Sequence, residues 1–321
     1  MTSRSFSLLV VLALLLAAAP AVARNCSADP YPLTTSCNAY GYVPSLPLNI
    51  LAVVLYALCG IVFVINHILF KGWYFLALTF GTFMMAAGIA MRVVSYYRLQ
   101  WNAGFIIMQV LVILSPCLLI AANYILLGRI AGHLDAQKHM FIRPSRVSWV
   151  FVISDIVTFL VQGGASGIAS SDNKNTANVG EKILLAALIV QLVSFLLFTF
   201  MWCLFTYRAW RDPVLWDLDW WKPLNWLLGF NCVMFLIRSI FRTIEFGEGW
   251  DGKLRTHEAY WAALDCLPIF LAIVLYTWYW PSRILTPATK VVPQQAMSIP
   301  MEQSSYKSTE TAEEPRGRLW A

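Results

Sequence analysis

Seven apolar segments, at roughly 47–69, 73–95, 103–130, 147–169, 181–207, 223–245 and 258–281, constrain this chain more than anything else in it. Each can cross a hydrocarbon core about 30 Å thick, which takes about 20 residues at a rise of 1.5 Å per residue. Inside a bilayer every backbone N–H and C=O must be satisfied within the chain, and helices do this one segment at a time. The expected fold is therefore all-α: a polytopic membrane protein, a seven-transmembrane helix bundle. Only 12% of the residues are charged, against about 25% in soluble domains, so a soluble globular fold is excluded. The net charge of +6 is dispersed along the chain. It offers no basic block suited to nucleic acid and reads as topology bias and attraction to anionic lipid.

The ends have their own character. Residues 1–23 begin with Arg4, continue as an apolar run from Phe6 to Ala19 and close on Ala21-Val22-Ala23, the pattern of a signal peptide cleaved after Ala23. An uncleaved anchor is the alternative, although the run is short for a span. Residues 24–46 form a short extracellular N-terminal segment, with Asn25 a glycosylation candidate in Asn25-Cys26-Ser27 and with Cys26 and Cys37 a candidate disulfide. The other five cysteines, Cys59, Cys117, Cys203, Cys232 and Cys266, lie in apolar runs and read as packing residues. Residues 47–281 are the seven-span domain. Residues 282–321, rich in Thr, Ser, Gln, Glu and Pro without apolar periodicity, are expected to be a disordered cytosolic tail.

An extracellular N-terminus and seven spans put the C-terminus in the cytosol, in the plasma membrane reached by the secretory pathway. Loop charges agree: Lys71, Arg129, Lys138, Arg143, Arg146, Arg208, Arg211 and Lys222 fall in the inner loops, against Arg98, Lys174, Lys182, Lys253 and Arg255 outside, eight to five. Trp210, Trp216, Trp220 and Trp221, with Trp278, Tyr279 and Trp280, read as interfacial anchors on the inner side.

Charge inside the spans is the functional signal. Arg238, Arg242 and Glu245 are four and three residues apart, so a helix puts them on one stripe. Charges in hydrocarbon cost at least roughly 2.5–3.5 kcal/mol each on insertion scales and therefore face a bundle interior and find partners. Arg92 late in the second span and Asp265 early in the seventh fall at similar depth, giving three cations and two acids with a slight positive excess. Glu258 opens the seventh segment. Asp155 lies deeper in the fourth span, with Gln162 seven residues on along the same face. Asn123, Gln109, Gln191, Asn225 and Asn231 add polar groups. These residues either bind and gate a polar head or form a buried ion network that fixes helix packing; spacing alone leaves both open. Gly163 and Gly167 make a small-xxx-small pair for close helix approach, and Pro116 and Pro268 can kink their helices and free backbone carbonyls.

Enzymatic chemistry finds no motif. Four histidines, His67, His133, His139 and His257, are scattered, so no histidine-rich metal site is expected. There is no phosphate-binding loop and no nucleophile elbow, and the seventh span lacks the Lys of a retinal Schiff base. No catalytic residue, metal or cofactor is expected.

Several stretches carry a resemblance. They are Ser154-Asp155-Ile156-Val157 with Gln162-Gly163-Gly164, then Arg238-Ser239-Ile240-Phe241-Arg242-Thr243-Ile244-Glu245, followed by Gly249-Trp250-Asp251-Gly252, His257-Glu258 and Asp265. Tyr40-Gly41-Tyr42-Val43-Pro44-Ser45-Leu46 and Ala121-Ala122-Asn123-Tyr124 with Leu127-Gly128-Arg129 extend it. Over about residues 40–282 the chain resembles the fungal lipid-translocating exporter family, also called the aminocholesterol-resistance or RTA-like family. The resemblance implies seven helices and the export or flipping of sphingoid long-chain bases, with resistance to toxic lipids and sterol analogues. Family members often carry an acid and a tyrosine ahead of the second-span arginine, where this chain has Met85 and Ile89 ahead of Arg92.

The functional expectation is a translocator whose partners are membrane lipids or amphiphilic small molecules. Asp155, Glu245 and Asp265 would attract a cationic amine head, while Arg92, Arg238 and Arg242 keep the acids ionised or contact phosphate. The alternatives are a seven-span sensor of lipid stress without transport activity, and a purely structural membrane scaffold. Oligomeric state is left open.

Overall fold

The computed structural model describes residues 45–97, 102–134, 144–169, 174–216, 218–248, 254 and 257–286. The expected signal peptide, Asn25, Cys26, Cys37 and the tail from 287 onward lie outside them. Among the described residues there is no strand, and seven helices are long and apolar enough to span a membrane. They are α1 (Leu46–Phe70), α2 (Leu76–Tyr97), α3 (Asn102–His133), α4 (Pro144–Ala169), α5 (Lys174–Arg211), α6 (Trp221–Gly247) and α7 (Glu258–Ile284).

Local chemistry sets several boundaries. Pro47 sits in the first turn of α1, where a missing N–H removes nothing the helix would use. Lys71, in the left-handed region at φ 49°, stops that helix, and the single 3₁₀ turn Trp73–Phe75 leads into α2. The fifth helix begins at Lys174, seven residues before the apolar run at 181, because its polar first turns gain a tertiary contact. Gly180 passes so close to α4 that a Cβ there would lie 2.4 Å from Ala169 N and 2.9 Å from Ala165 O.

Consecutive helices pack side by side, α3 also meets α6, and α7 closes against both α6 and α1. Within the spanning window of α3, 89% of the residues are buried, against 28–56% for the other six, so α3 is the central post. Gly81 and Gly88 of α2, two turns apart, let it approach Leu119 and Val112 of α3. Gly163 plays no such part, since a Cβ on it would meet nothing within 4 Å; the close α4–α5 approach belongs to Gly180 instead. Leu58, Ile68, Phe80, Val150, Leu197 and Phe200 are exposed on the outside of the bundle, the surface hydrocarbon would wet.

Two of the expected aromatic anchors turn inward. Trp221 is fully buried and donates from Nε1 to Leu215 O at 2.9 Å, and Trp280 is packed among Phe63, His67 and Phe75. Trp210, Trp278 and Tyr279 do face outward. The chain also stays folded past 281: Pro281–Ile284 form a turn, Ser282 Oγ donates to Tyr74 Oη at 2.9 Å, and Leu285 is buried. Residues 282–286 therefore belong to the bundle and not to the tail.

Candidate functional site

At one end of the bundle the start of α1, the end of α2, the end of α6 and the start of α7 come together. Asp265, with no exposed surface, is the centre of this site. Arg242 engages it with both arms of its guanidinium, Nε donating to Oδ1 at 3.0 Å and Nη2 to Oδ2 at 2.5 Å. Such bidentate pairing is the strongest geometry available to arginine and carboxylate. Arg238 Nε lies 2.8 Å from Oδ1 as an ion pair, though without the alignment of a hydrogen bond. Glu245 Oε2 accepts from Arg242 Nη1 at 3.2 Å, as the i,i+3 spacing on α6 allows.

Backbone irregularities in two helices position these side chains. Pro116, inside α3, has no N–H to give to the carbonyl four residues back, that of Val112. That carbonyl instead accepts from Arg238 Nη2 at 3.2 Å. In α7, Pro268 likewise cannot close an ordinary turn, and the five residues Ala262–Cys266 before it form a π turn, with Leu267 N–H donating to Ala262 O. Asp265 sits in that wide turn, and Tyr56 Oη of α1 donates to the adjacent Cys266 O at 2.7 Å.

Glu258 joins a second arginine to the group. Arg92 Nη2 lies 3.6 Å from Glu258 Oε1, and its guanidinium stands 3.8 Å above the centre of the Trp261 ring, a cation–π contact. Glu258 also accepts from Ser45 N at 2.7 Å and from Asn49 Nδ2 at 2.8 Å, which ties α7 to α1. Arg92, on a helix that carries no acid of its own, is thus paired with an acid of the seventh helix. With Glu258 counted, Arg92, Arg238 and Arg242 face Glu245, Glu258 and Asp265, and the expected positive excess becomes neutrality. Asp265 and Arg238 are the buried centre, while the side chains of Glu245 and Glu258, 10% and 13% exposed, form the rim.

Asp155 and Gln162 do not join this cluster. Asp155, 3% exposed on α4, has its Oδ2 bonded by Tyr124 Oη of α3 at 2.9 Å, while Oδ1 has no partner. The Tyr124 ring is held between Phe151 and Phe198 at centroid distances of 5.4 and 4.4 Å. Gln162 Nε2 donates to Gln191 Oε1 at 2.8 Å, and Gln191 Nε2 reaches Cys117 Sγ at 3.4 Å. A third polar knot joins α3, α6 and α7, where Asn123 Oδ1 accepts from Tyr276 Oη at 2.6 Å and from Asn231 Nδ2 at 3.3 Å. Sequence reasoning missed Asn49, Trp261 and Tyr56 as partners. An Asn in the otherwise apolar first turns of the first span was a usable signal for the first of these; the other two look like ordinary packing aromatics.

Among the described residues no group of three His, Cys, Asp or Glu side chains is arranged to hold a metal ion. What the cluster can do is exchange partners. An ammonium entering at its acids, or a phosphate at its arginines, would have to displace one of the existing partners, because the three guanidinium and three carboxylate groups already balance.

Comparison with known proteins agrees with this architecture. The family profile described as RTA1 like protein matches residues 78–288, a span that contains all six charges of the cluster. Protein RTA1 of Saccharomyces cerevisiae is 32% identical over 265 residues, covering 74% of this chain and 83% of the relative. Protoporphyrin uptake protein 1 of the same species is 27% identical over 199 residues, 61% of this chain and 65% of the relative. Sphingoid long-chain base transporter RSB1, from Saccharomyces cerevisiae strain YJM789, is 24% identical over 279 residues, 75% and 72%. No solved structure matches. With seven spanning helices and a matched region that runs from α2 to the end of α7, the chain is a membrane protein that belongs to the RTA1-like family.

Proposed function

We propose that this protein moves amphiphiles with a cationic amine head, of the sphingoid long-chain base class, across the membrane, and that the six-charge cluster is where the head group stops on its way. The observation that carries this reading is the convergence of three acids, with Asp265 buried at the centre and Glu245 and Glu258 on the rim, where an amine head can take the place of an arginine. An arriving ammonium would be met by Glu245 and Glu258 while Arg238 and Arg242 stay paired with Asp265. The apolar tail would remain against the exposed Leu, Ile and Val surface of the bundle. The relative named as a long-chain base transporter supports the head-group class, and the one named for protoporphyrin uptake supports an amphiphile range wider than one lipid. With the N-terminus outside, the cluster faces the outer leaflet of the plasma membrane, and export there would give resistance to toxic lipids.

Purified protein in liposomes, offered a fluorescent long-chain base beside a fluorescent phospholipid, tests the reading. The long-chain base is expected to cross faster than in empty liposomes, and Glu245→Gln to slow it. Protein that is folded but moves neither lipid overturns the proposal and leaves a sensor.

A further inference from the structure

Asp155 is the acid for which the head-group site has no use. It lies on α4 away from the arginine cluster, enclosed beside Tyr124, and among the described residues no Arg, Lys or His pairs with it. The titratable groups that face it are neutral ones, while Arg238 of α6, which reaches the same Cys117 thiol, is engaged by Asp265 and the Val112 carbonyl. From α3 come the Tyr124 hydroxyl, which donates to Oδ2, and the Cys117 thiol, within electrostatic reach; from α6 the Cys232 thiol stands near Tyr124. On α4 itself Thr158 Oγ1 turns back to the Asp155 carbonyl at 3.0 Å, and α5 contributes the Phe198 ring against Tyr124. One hydroxyl donor is too little to hold a carboxylate at 3% exposure within a membrane, since a buried ion without a counter-ion carries a desolvation penalty of several kcal/mol. Oδ1, buried and without a hydrogen-bond partner, is an acceptor that a proton would satisfy.

We propose that the Asp155 carboxyl, bonded by Tyr124 on one oxygen and unpartnered on the other, is a proton-binding site that couples movement of the amphiphile to movement of a proton. In the enclosed state shown, Oδ1 carries a proton and the group is neutral. When α4 and α3 part enough for water to reach the carboxyl, the O–H bond breaks, the proton passes to water and the electron pair stays on oxygen as carboxylate. Closing again requires that a proton be taken back, from whichever side the water came. A difference in proton activity between the two sides of the membrane would then drive the amphiphile through this site. This inference rests on the translocator reading for its coupling step but not for the proton site itself.

Two measurements on the full-length protein test it. Infrared difference spectra of wild type and Asp155→Asn in lipid should show a carboxylic acid C=O band that is absent from the variant and disappears from wild type as pH rises. Tyr124→Phe, which retains the acid, should move that band in frequency because the carboxyl loses its donor, and it serves if the Asn variant does not fold. No band assignable to Asp155 at any pH, or one indifferent to pH, overturns the proton site. In liposomes with an imposed pH gradient, offered a long-chain analogue whose head is a quaternary ammonium and carries no proton of its own, one proton exchanged per lipid shifts the final distribution about tenfold per pH unit. Wild type should follow that shift and Asp155→Asn should ignore the gradient. Wild-type transport indifferent to the gradient overturns the coupling. No transport at all by wild type defeats the translocator reading and the coupling together, while the infrared band still decides whether Asp155 binds a proton.

Discussion

Asp265 serves two arginines at once, so its loss is unlike the loss of any other acid in the site. Asp265→Asn would leave Arg238 buried beside a neutral amide while Arg242 keeps Glu245, and breaking a buried ion pair by removing one partner costs roughly 3–5 kcal/mol. Glu245→Gln removes one charge-assisted hydrogen bond at the rim, about 1.5–3 kcal/mol, and leaves Arg242 its bidentate partner. Unfolding of the two variants in detergent should rank them in that order, and equal losses would show that Asp265 is not the hub. The same residues show what was legible in the chain. Arg238, Arg242 and Glu245 announce themselves by spacing, because one helix fixes their relation. That Glu258 belongs with Arg92, and Asp155 with Tyr124, depends on which helices are neighbours, and no spacing within a helix encodes that.

Prolines and glycines do their work at the scale of the helix. The interior Pro116 would ordinarily cost α3 about 3 kcal/mol or more, so Pro116→Ala should on that basis stabilise by a similar amount. Here the freed Val112 carbonyl already has Arg238, and a restored N–H would compete with the guanidinium for it. The expected gain is therefore well below 3 kcal/mol, read as a melting temperature that rises little or falls; a full gain would mean that the Arg238 contact adds nothing. Glycines divide in a similar way. Gly180→Ala drives a methyl into the backbone of α4 and should destabilise by about 1–3 kcal/mol, whereas Gly163→Ala meets open space and should stabilise by about 0.5–1 kcal/mol. Apolar length made the seven helices legible, with their ends correct to within a few residues for six of them. The early start of α5 was not, because a polar stretch becomes helical there through contact with its neighbour, which hydropathy does not register.

At the scale of the whole bundle, α3 is held on several sides and α1 is not: 28% of the α1 spanning window is buried, and its first turn is fastened to the rest largely through one acid. Glu258 bonds Ser45 N and Asn49 Nδ2 of α1 and pairs with Arg92 of α2, so a single side chain draws three helices together at the charged end. The lower part of the α1–α7 seam is closed by different means, the packing of Phe63, His67 and Trp280. On the proposed function, a lipid whose tail stays in the bilayer while its head enters the cluster would need a seam that opens at one end only, and the two ends of this seam are fastened by different chemistry. Glu258→Gln weakens the fastening without changing side-chain volume. Hydrogen exchange followed by mass spectrometry should then show faster exchange at the first turn of α1, with the Phe63 region and the interior of α3 unchanged. Acceleration spread evenly along α1 would mean that the helix is held as a unit and that Glu258 is one contact among many. Acceleration confined to the first turn would locate the flexible seam beside the acids that the head group is proposed to meet, which is where lateral entry from the bilayer requires it.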